Sequence, residues 1–307
     1  MGFCSHCRHR LVKSSTYDLV SDDFAYEPDR DAIEMIKATG VLPYLIKNLA
    51  LPGLENDLLS KVSRKSQRVA YRSRLDLLAR QCAVALSIDV LPEILVTKDA
   101  LPNAFTFGTE DRAFVIVSSA ILNLLAETEL SALIGHELAH VKSGHMLYHT
   151  VAELLGGGVN FSASFLGLGI ISVPVRLAIL SWHRESEVTA DRGALLVAGD
   201  MTIMKSLLAK LGKWSTGDAP KSREFDINSQ NTGILESASE LLRTHPSYNN
   251  RFARLKEFSE SEQYLRARQK IRRRLDMVGA LVPVCRFCKA KKRVEDLFCP
   301  VCRTCQT

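Results

Sequence analysis

The sequence predicts an α+β protein, mainly helical, with a small β-sheet just ahead of a histidine-bearing helix and a small cysteine-rich unit at the C-terminus. Three observations carry this. Apolar residues recur at helical spacing through most of the chain. Strand-type alternation is confined to "PEILVTKD" and "LPNAFTFGTEDRAFVIVSS". Paired cysteines crowd the two ends. At 307 residues the chain has room for one sizeable core and an appended unit. Apolar content of 46% with 24% charged residues excludes global disorder.

Residues 1–28 read as a short, loosely structured cysteine-bearing leader. The main domain is expected over 29–262. It opens with short helices broken by Pro and Gly, followed by a longer helix over "SRLDLLARQCAVALSI". Cys82, alone in that helix, reads as a core residue. Next come a strand in "PEILVTKD" and two strands around a Gly-containing turn, then a helix ending near Leu125. "TELSALIGHELAHV" forms the histidine helix, with Thr128 as its predicted N-cap. A second charged helix covers "RESEVTADRGALLVAG", a polar loop covers "DAPKSREFDINSQNTG", and helices resume through "NNRFARLKEF". Residues 263–283 are a basic helical linker, read as a solvated face, and 284–307 a zinc-ribbon-like segment.

The histidine helix carries the chemistry. Residues four apart share a helix face, so His136 and His140 offer their imidazoles to one metal ion. Glu137 follows the first of them and can act on a metal-bound water without ligating. The same five-residue pattern occurs by chance in unrelated helices, so a third ligand decides. A metzincin needs Gly and His three and six residues past the second histidine; Ser143 and Met146 stand there, which rules that class out. His145 comes one residue too early, and its helical angle carries it away from the ligand face; it and His149 read as polar surface or second-layer histidines. Glu187 and Asp191 are again four apart on a helix. Glu187 completes a gluzincin set of two His and one Glu, and Asp191 can accept the free ring N–H of a ligating histidine. Taken alone, either helix could be an ordinary charged face; together they point to catalytic zinc.

"HELAH", "ESEVTAD" and "THPSYNNRFARL", with "LPNAFTFG" and "FVIVSSAIL" ahead of them and "AELLGGG" between, resemble the HtpX-like and CAAX-prenyl-protease-like zinc metallopeptidases. The resemblance covers roughly residues 29–258 and leaves out the cysteine-bearing ends. It implies His136, His140 and Glu187 as zinc ligands, Glu137 as catalytic base and Asp191 behind a ligand. It also implies that His245 lies near the zinc as an aid to the oxyanion, with Arg251 as the arginine of the same motif.

The reaction expected is endopeptidase hydrolysis of peptides or misfolded proteins, with zinc-bound water near a pKa of about 7 activated by Glu137. Asn103, Ala104 and Phe105 in "NAFTFG" are the candidate substrate edge, pairing backbone to backbone. The alternative for that stretch is an internal hairpin with Asn103 in a turn.

Residues 154–175 carry no charge and are long enough for a span of about 20 residues. A single crossing there would strand Glu187 across the bilayer from His140. Two crossings need roughly 40 apolar residues, which the gap does not hold. No apolar signal follows the N-terminus, and position six is His rather than Ser or Thr, so neither export nor myristoylation is expected. The expectation is a cytoplasmic protein, with peripheral membrane contact as the alternative.

Eight cysteines without an export signal indicate metal ligation in a reducing compartment. Cys285, Cys288, Cys299 and Cys302 form two CxxC knuckles suited to a closed, structural zinc site, although Cys305 permits a neighbouring register. Cys4 and Cys7 form a half-site that either completes a second structural zinc site or stays a reduced pair. A formal charge of +6 is mild, and few aromatics flank the basic run, so nucleic acid is not an expected partner. Two other functions compete with the peptidase: a ribbon-based binding module on a fold that no longer cuts, and a membrane-associated prenyl-protein protease.

Overall fold

The computed structural model describes residues 3–4, 7–11, 13, 16–38, 66–108, 112–146, 148–149, 173–215 and 248–280. His245, the four ribbon cysteines and residues 154–172 lie outside them.

A 3-10 turn at Ser21–Asp23 leads into helix α1 (Glu27–Ala38). Strand β1 (Ser66–Arg68), helix α2 (Arg74–Ala85) and strands β2 (Glu93–Thr97), β3 (Ala104–Gly108) and β4 (Ala113–Ser118) follow. Helix α3 (Ser119–Leu124) precedes α4 (Glu127–Lys142), the histidine helix. The remaining helices are α5 (Val173–Ala198), α6 (Met201–Ser215), α7 (Tyr248–Ser259) and α8 (Glu262–Ala280). The described residues are mainly helical with one small mixed sheet, as the sequence predicts.

Strand order is β1-β2-β4-β3, with β2 and β4 parallel and both outer pairs antiparallel. β4 is central and buried along its whole length, matching its unbroken apolar run "AFVIV". Val115 and Val117 face the helical core, while Phe114 and Ile116 pack with Leu95 and Phe107 on the opposite face. β3 forms a hairpin with β4, Ala104 opposite Val117 and Thr106 opposite Val115. It is also an edge strand, so the two readings of "NAFTFG" are compatible. Asn103 precedes it, its N–H donating to Ser118 Oγ at 2.8 Å.

Helix α4 starts two residues earlier than a cap at Thr128 would allow: Ala126 is the cap residue. The buried Glu129 carboxylate accepts the Ala126 N–H at 2.7 Å and also binds Ser206 Oγ and Lys210 Nζ, each at 2.6 Å. A side chain that caps α4 and ties it to α6 outcompetes a local threonine hydroxyl.

The most extensive packing is between α4 and α5. Two glycines permit it. A Cβ on Gly193 would lie 2.4 Å from Ala139 Cβ, and one on Gly135 would lie 2.9 Å from Val197 Cβ. Ala139 adjoins His140, and Gly193 is two residues past Asp191, so this approach brings the two motif helices together. Gly193→Ala is expected to force them apart and cost about 1–3 kcal/mol by overpacking. Thermal unfolding measures this; an unchanged midpoint would mean that the contact is not limiting.

Both flanking segments are more integrated than their sequences suggest. Phe3, Leu19 and Phe24 join the main core, so residues 1–28 are not a loose leader in their described part. Ala267 and Ile271 of α8 also enter that core, and Arg274, 1% exposed, donates to the Val84 carbonyl at 2.9 Å. The basic run is thus a packed helix with Arg274 turned inward and most of its other charged residues on the outer side, because small and apolar residues alternate with its arginines at helical spacing.

A candidate zinc centre between the two motif helices

Glycine-enabled packing sets α4 and α5 side by side with His136 and His140 facing Glu187. Nε2 of His136 and Nε2 of His140 are 3.2 Å apart. Glu187 places a carboxylate oxygen 3.5 Å from each ring. All three residues are buried, and their ligand atoms lie within 4.8 Å of one another. Two neutral imidazoles that turn lone pairs on one point beside a carboxylate need a cation or a proton among them. Two nitrogens and one carboxylate oxygen are the donor set zinc takes in hydrolytic centres, so the residues present fit the ion.

The far nitrogens of both rings are engaged. His136 Nδ1 lies 3.1 Å from Asp191 Oδ1. Arg251 grips the same carboxylate with two charge-assisted bonds of 2.6 Å, Nε to Oδ2 and one terminal nitrogen to Oδ1. Burial pushes the Asp191 carboxyl up, but the guanidinium and His136 outweigh it and hold the group below the ordinary carboxylate range. His140 Nδ1 lies 3.1 Å from His145 Nδ1. Burial disfavours charge on both imidazoles, yet the Asp191 and Glu187 carboxylates hold His136 well above an ordinary imidazole. His140 falls well below it, through burial and the charge on His136.

Of the two readings of His145 and His149, the structure keeps the second layer and excludes the surface. The two residues are 2% and 8% exposed. Helix α4 ends at Lys142, and Gly144 at φ +67° turns the chain back so that His145 returns beside His140. Extending the helix in sequence had carried His145 away from the ligand face. Two further buried triplets, His140–His145–His149 and His149–His183–Glu187, also converge, but each shares a residue with the first. His149 Nε2 already meets Ser186 Oγ at 2.7 Å.

On the sheet side, pleating turns Thr106 of β3 toward α4. Its hydroxyl donates to the Glu137 carboxylate at 2.6 Å and approaches the Glu137 carbonyl at 3.3 Å. Glu137 is 5% exposed. Sequence reasoning missed Thr106, although its position inside the candidate edge was a signal. Phe105 points to the other face with Phe107, and Ala104 packs on the main core. No strand pairs with the outer side of β3 among the described residues. Cys4 and Cys7 flank a turn closed by Arg8 N–H to Cys4 O at 3.1 Å. Among the described residues they join no third ligand. Cys82 is buried, and desolvation pushes its thiol up to about 11, consistent with a core residue.

A buried His–His–Glu centre on two closely packed helices, with a glutamate beside the first histidine and an edge strand above it, defines a zinc-dependent metallopeptidase. Residues 70–259 match the model of Peptidase family M48, and the chain belongs to that family. The chain is similar to a protease HtpX homolog of Campylobacter hominis, 29% identical over 211 residues, which cover 60% of this chain and 74% of that protein. It is 30% identical to the protease HtpX homolog of Campylobacter curvus over 194 residues, 54% of this chain and 68% of that protein. It is also 32% identical over 197 residues to a plastoglobule-localized metallopeptidase 48 of Arabidopsis thaliana. That match covers 63% of this chain but only 56% of the plant protein's length. The protein is thus a hydrolase of peptide or protein substrates that uses zinc. No helix among the described residues is long and apolar enough to cross a membrane.

Proposed function

We propose that the protein is a zinc endopeptidase in which His136, His140 and Glu187 hold the metal and Glu137 is the catalytic base. The convergence of the two Nε2 atoms on the Glu187 carboxylate carries this reading. Zinc held there supplies a Lewis acid that lowers the pKa of water to about 7 and polarises the scissile carbonyl. Glu137 takes the proton of the attacking water on its carboxylate and delivers it to the departing amine. Thr106 fixes the Glu137 carboxylate through its 2.6 Å bond. Asp191, anchored by Arg251, holds His136 with Nε2 toward the metal. The outer edge of β3 aligns an extended substrate by backbone pairing, which favours unfolded segments and reads side chains weakly. Ala104 and Thr106 turn their backbone groups to that edge, whereas Ser118 takes both backbone groups of Asn103 and Phe105 alternates with Ala104 toward β4. His245 is assigned to the oxyanion on the family resemblance alone. The cysteines 285, 288, 299 and 302 are assigned a structural zinc on their spacing, and Cys4 with Cys7 a candidate second one. A cytoplasmic site of action, with peripheral membrane contact as the alternative, belongs to the same proposal.

Casein hydrolysis tests the reading. A chelator is expected to abolish it and stoichiometric zinc to restore it; cleavage that continues in metal-free protein would defeat the proposal. Thr106→Val should lower kcat roughly 10–100-fold by removing a bond worth about 1.5–3 kcal/mol to a charged group. KM should hold, and Thr106→Ser should restore the rate. If the valine variant raised KM alone, Thr106 would belong to substrate binding.

A further inference from the structure

We propose that Asp29, on α1, is a positioning residue for the metal, acting through His145 on the ligand His140. The inference rests on the ligand assignment above and extends it to a helix outside the span matched by the family model, residues 70–259.

Proton bookkeeping along the line of contacts leaves one consistent arrangement. His140 can bind metal through Nε2 only with its proton on Nδ1. That proton points at His145 Nδ1, 3.1 Å away, which must then be the acceptor. His145 therefore carries its proton on Nε2, and this nitrogen lies 3.2 Å from Asp29 Oδ2. The reverse tautomer of His145 would set a lone pair against a carboxylate oxygen and an N–H against the N–H of His140. Asp29 thus decides which way the buried imidazole chain is polarised, and a carboxylate at its end makes His140 the stronger donor.

Asp29 is built to stay where it is. It is 2% exposed, and Trp182 Nε1 donates to its Oδ1 at 2.7 Å. The Thr189 hydroxyl donates to its Oδ2, and both donors belong to α5, the helix that carries Glu187. The chain before α1 is tied to α5 as well: Tyr26 N–H donates to Thr189 Oγ1 at 3.0 Å and Arg192 to the Ala25 carbonyl at 2.8 Å. His136 is held by Asp191 directly, and His140 is held by a carboxylate through an intervening imidazole. The two ligands of α4 are therefore oriented from different parts of the chain.

The test uses the full chain loaded with cobalt(II), whose visible bands separate a nitrogen–oxygen site from thiolate coordination, with affinity read by chelator competition. Asp29→Asn and His145→Ala are each expected to weaken the metal at the nitrogen–oxygen site about 10–100-fold. The double variant should be no weaker than His145→Ala alone, because both act along one line. Trp182→Phe, which removes a different Asp29 partner, should stay within about twofold of the parent, as it leaves the line to His140 intact. Added imidazole should restore affinity to His145→Ala only while Asp29 is present, a readout that global loosening cannot produce. Parent-like affinity in the two single variants, multiplying effects in the double, or rescue independent of Asp29 would each overturn the proposal. If Glu187→Ala keeps the nitrogen–oxygen band, the ligand assignment itself fails. If Glu187→Ala loses the band and Asp29→Asn does not shift it, only the role of Asp29 fails.

Discussion

Glu137→Gln is expected to leave a folded chain that keeps its zinc and cleaves casein about 10²–10⁴-fold more slowly in kcat. Glutamine has the same shape, and its amide oxygen can still accept the Thr106 hydroxyl that reaches the Glu137 carboxylate at 2.6 Å. What it lacks is an oxygen basic enough to take a proton. Glu137 is not among the three residues whose ligand atoms converge, so metal content should match the parent. The informative measurement is the pair of values, kcat and zinc per chain. Loss of both together would make Glu137 a structural residue, and a rate within a few-fold of the parent would remove it from the mechanism. A plain HELAH helix with no hydrolytic role predicts an unchanged rate.

The second large effect is on stability. Arg251→Leu removes the only guanidinium described as gripping Asp191 at both oxygens, each at 2.6 Å. The two side chains are 5% and 2% exposed, so water cannot replace what is lost. Breaking one side of a buried pair costs about 3–5 kcal/mol, because the remaining charge stays desolvated. Arg251 also lies 3.6 Å from Glu187 Oε2, so a second buried carboxylate loses its cation. Chemical denaturation of the metal-free protein should show the loss, and zinc binding should weaken as His136 loses a firmly held partner. Arg251→Lys should recover only part of it, since an ammonium cannot span both oxygens. A leucine variant as stable as the parent would mean that Asp191 finds another cation or takes up a proton.

Much of the centre could be read locally. His136, His140, Glu187 and Asp191 are legible because four-residue spacing on a helix is a property of the backbone itself. The strands were legible because the unbroken β-branched and apolar run of "AFVIV" and the alternation of "NAFTFG" survive whatever packs on them. The misreadings share a cause. Thr128 was the best nearby cap, but Glu129 gains two partners from α6 that no local pattern displays. His145 looked turned away because the helix was continued past its end, where Gly144 reverses the chain. The arginine-rich α8 looked solvated because charge dominates its composition, whereas Ala267 and Ile271 place one stripe in the core.

By itself the sequence determined the class of chemistry: which side chains could offer nitrogen and oxygen to a metal, and which helices and strands carry them. Those are consequences of residue type and of backbone periods of 3.6 and 2. Tertiary packing alone decided that Thr106 meets Glu137 and that Asp29 reaches His140 through His145. A hydrogen bond of 3 Å between remote segments depends on how closely two helices can approach and where a chain turns. Here Gly193 and Gly144 set both, through the side chain that each lacks.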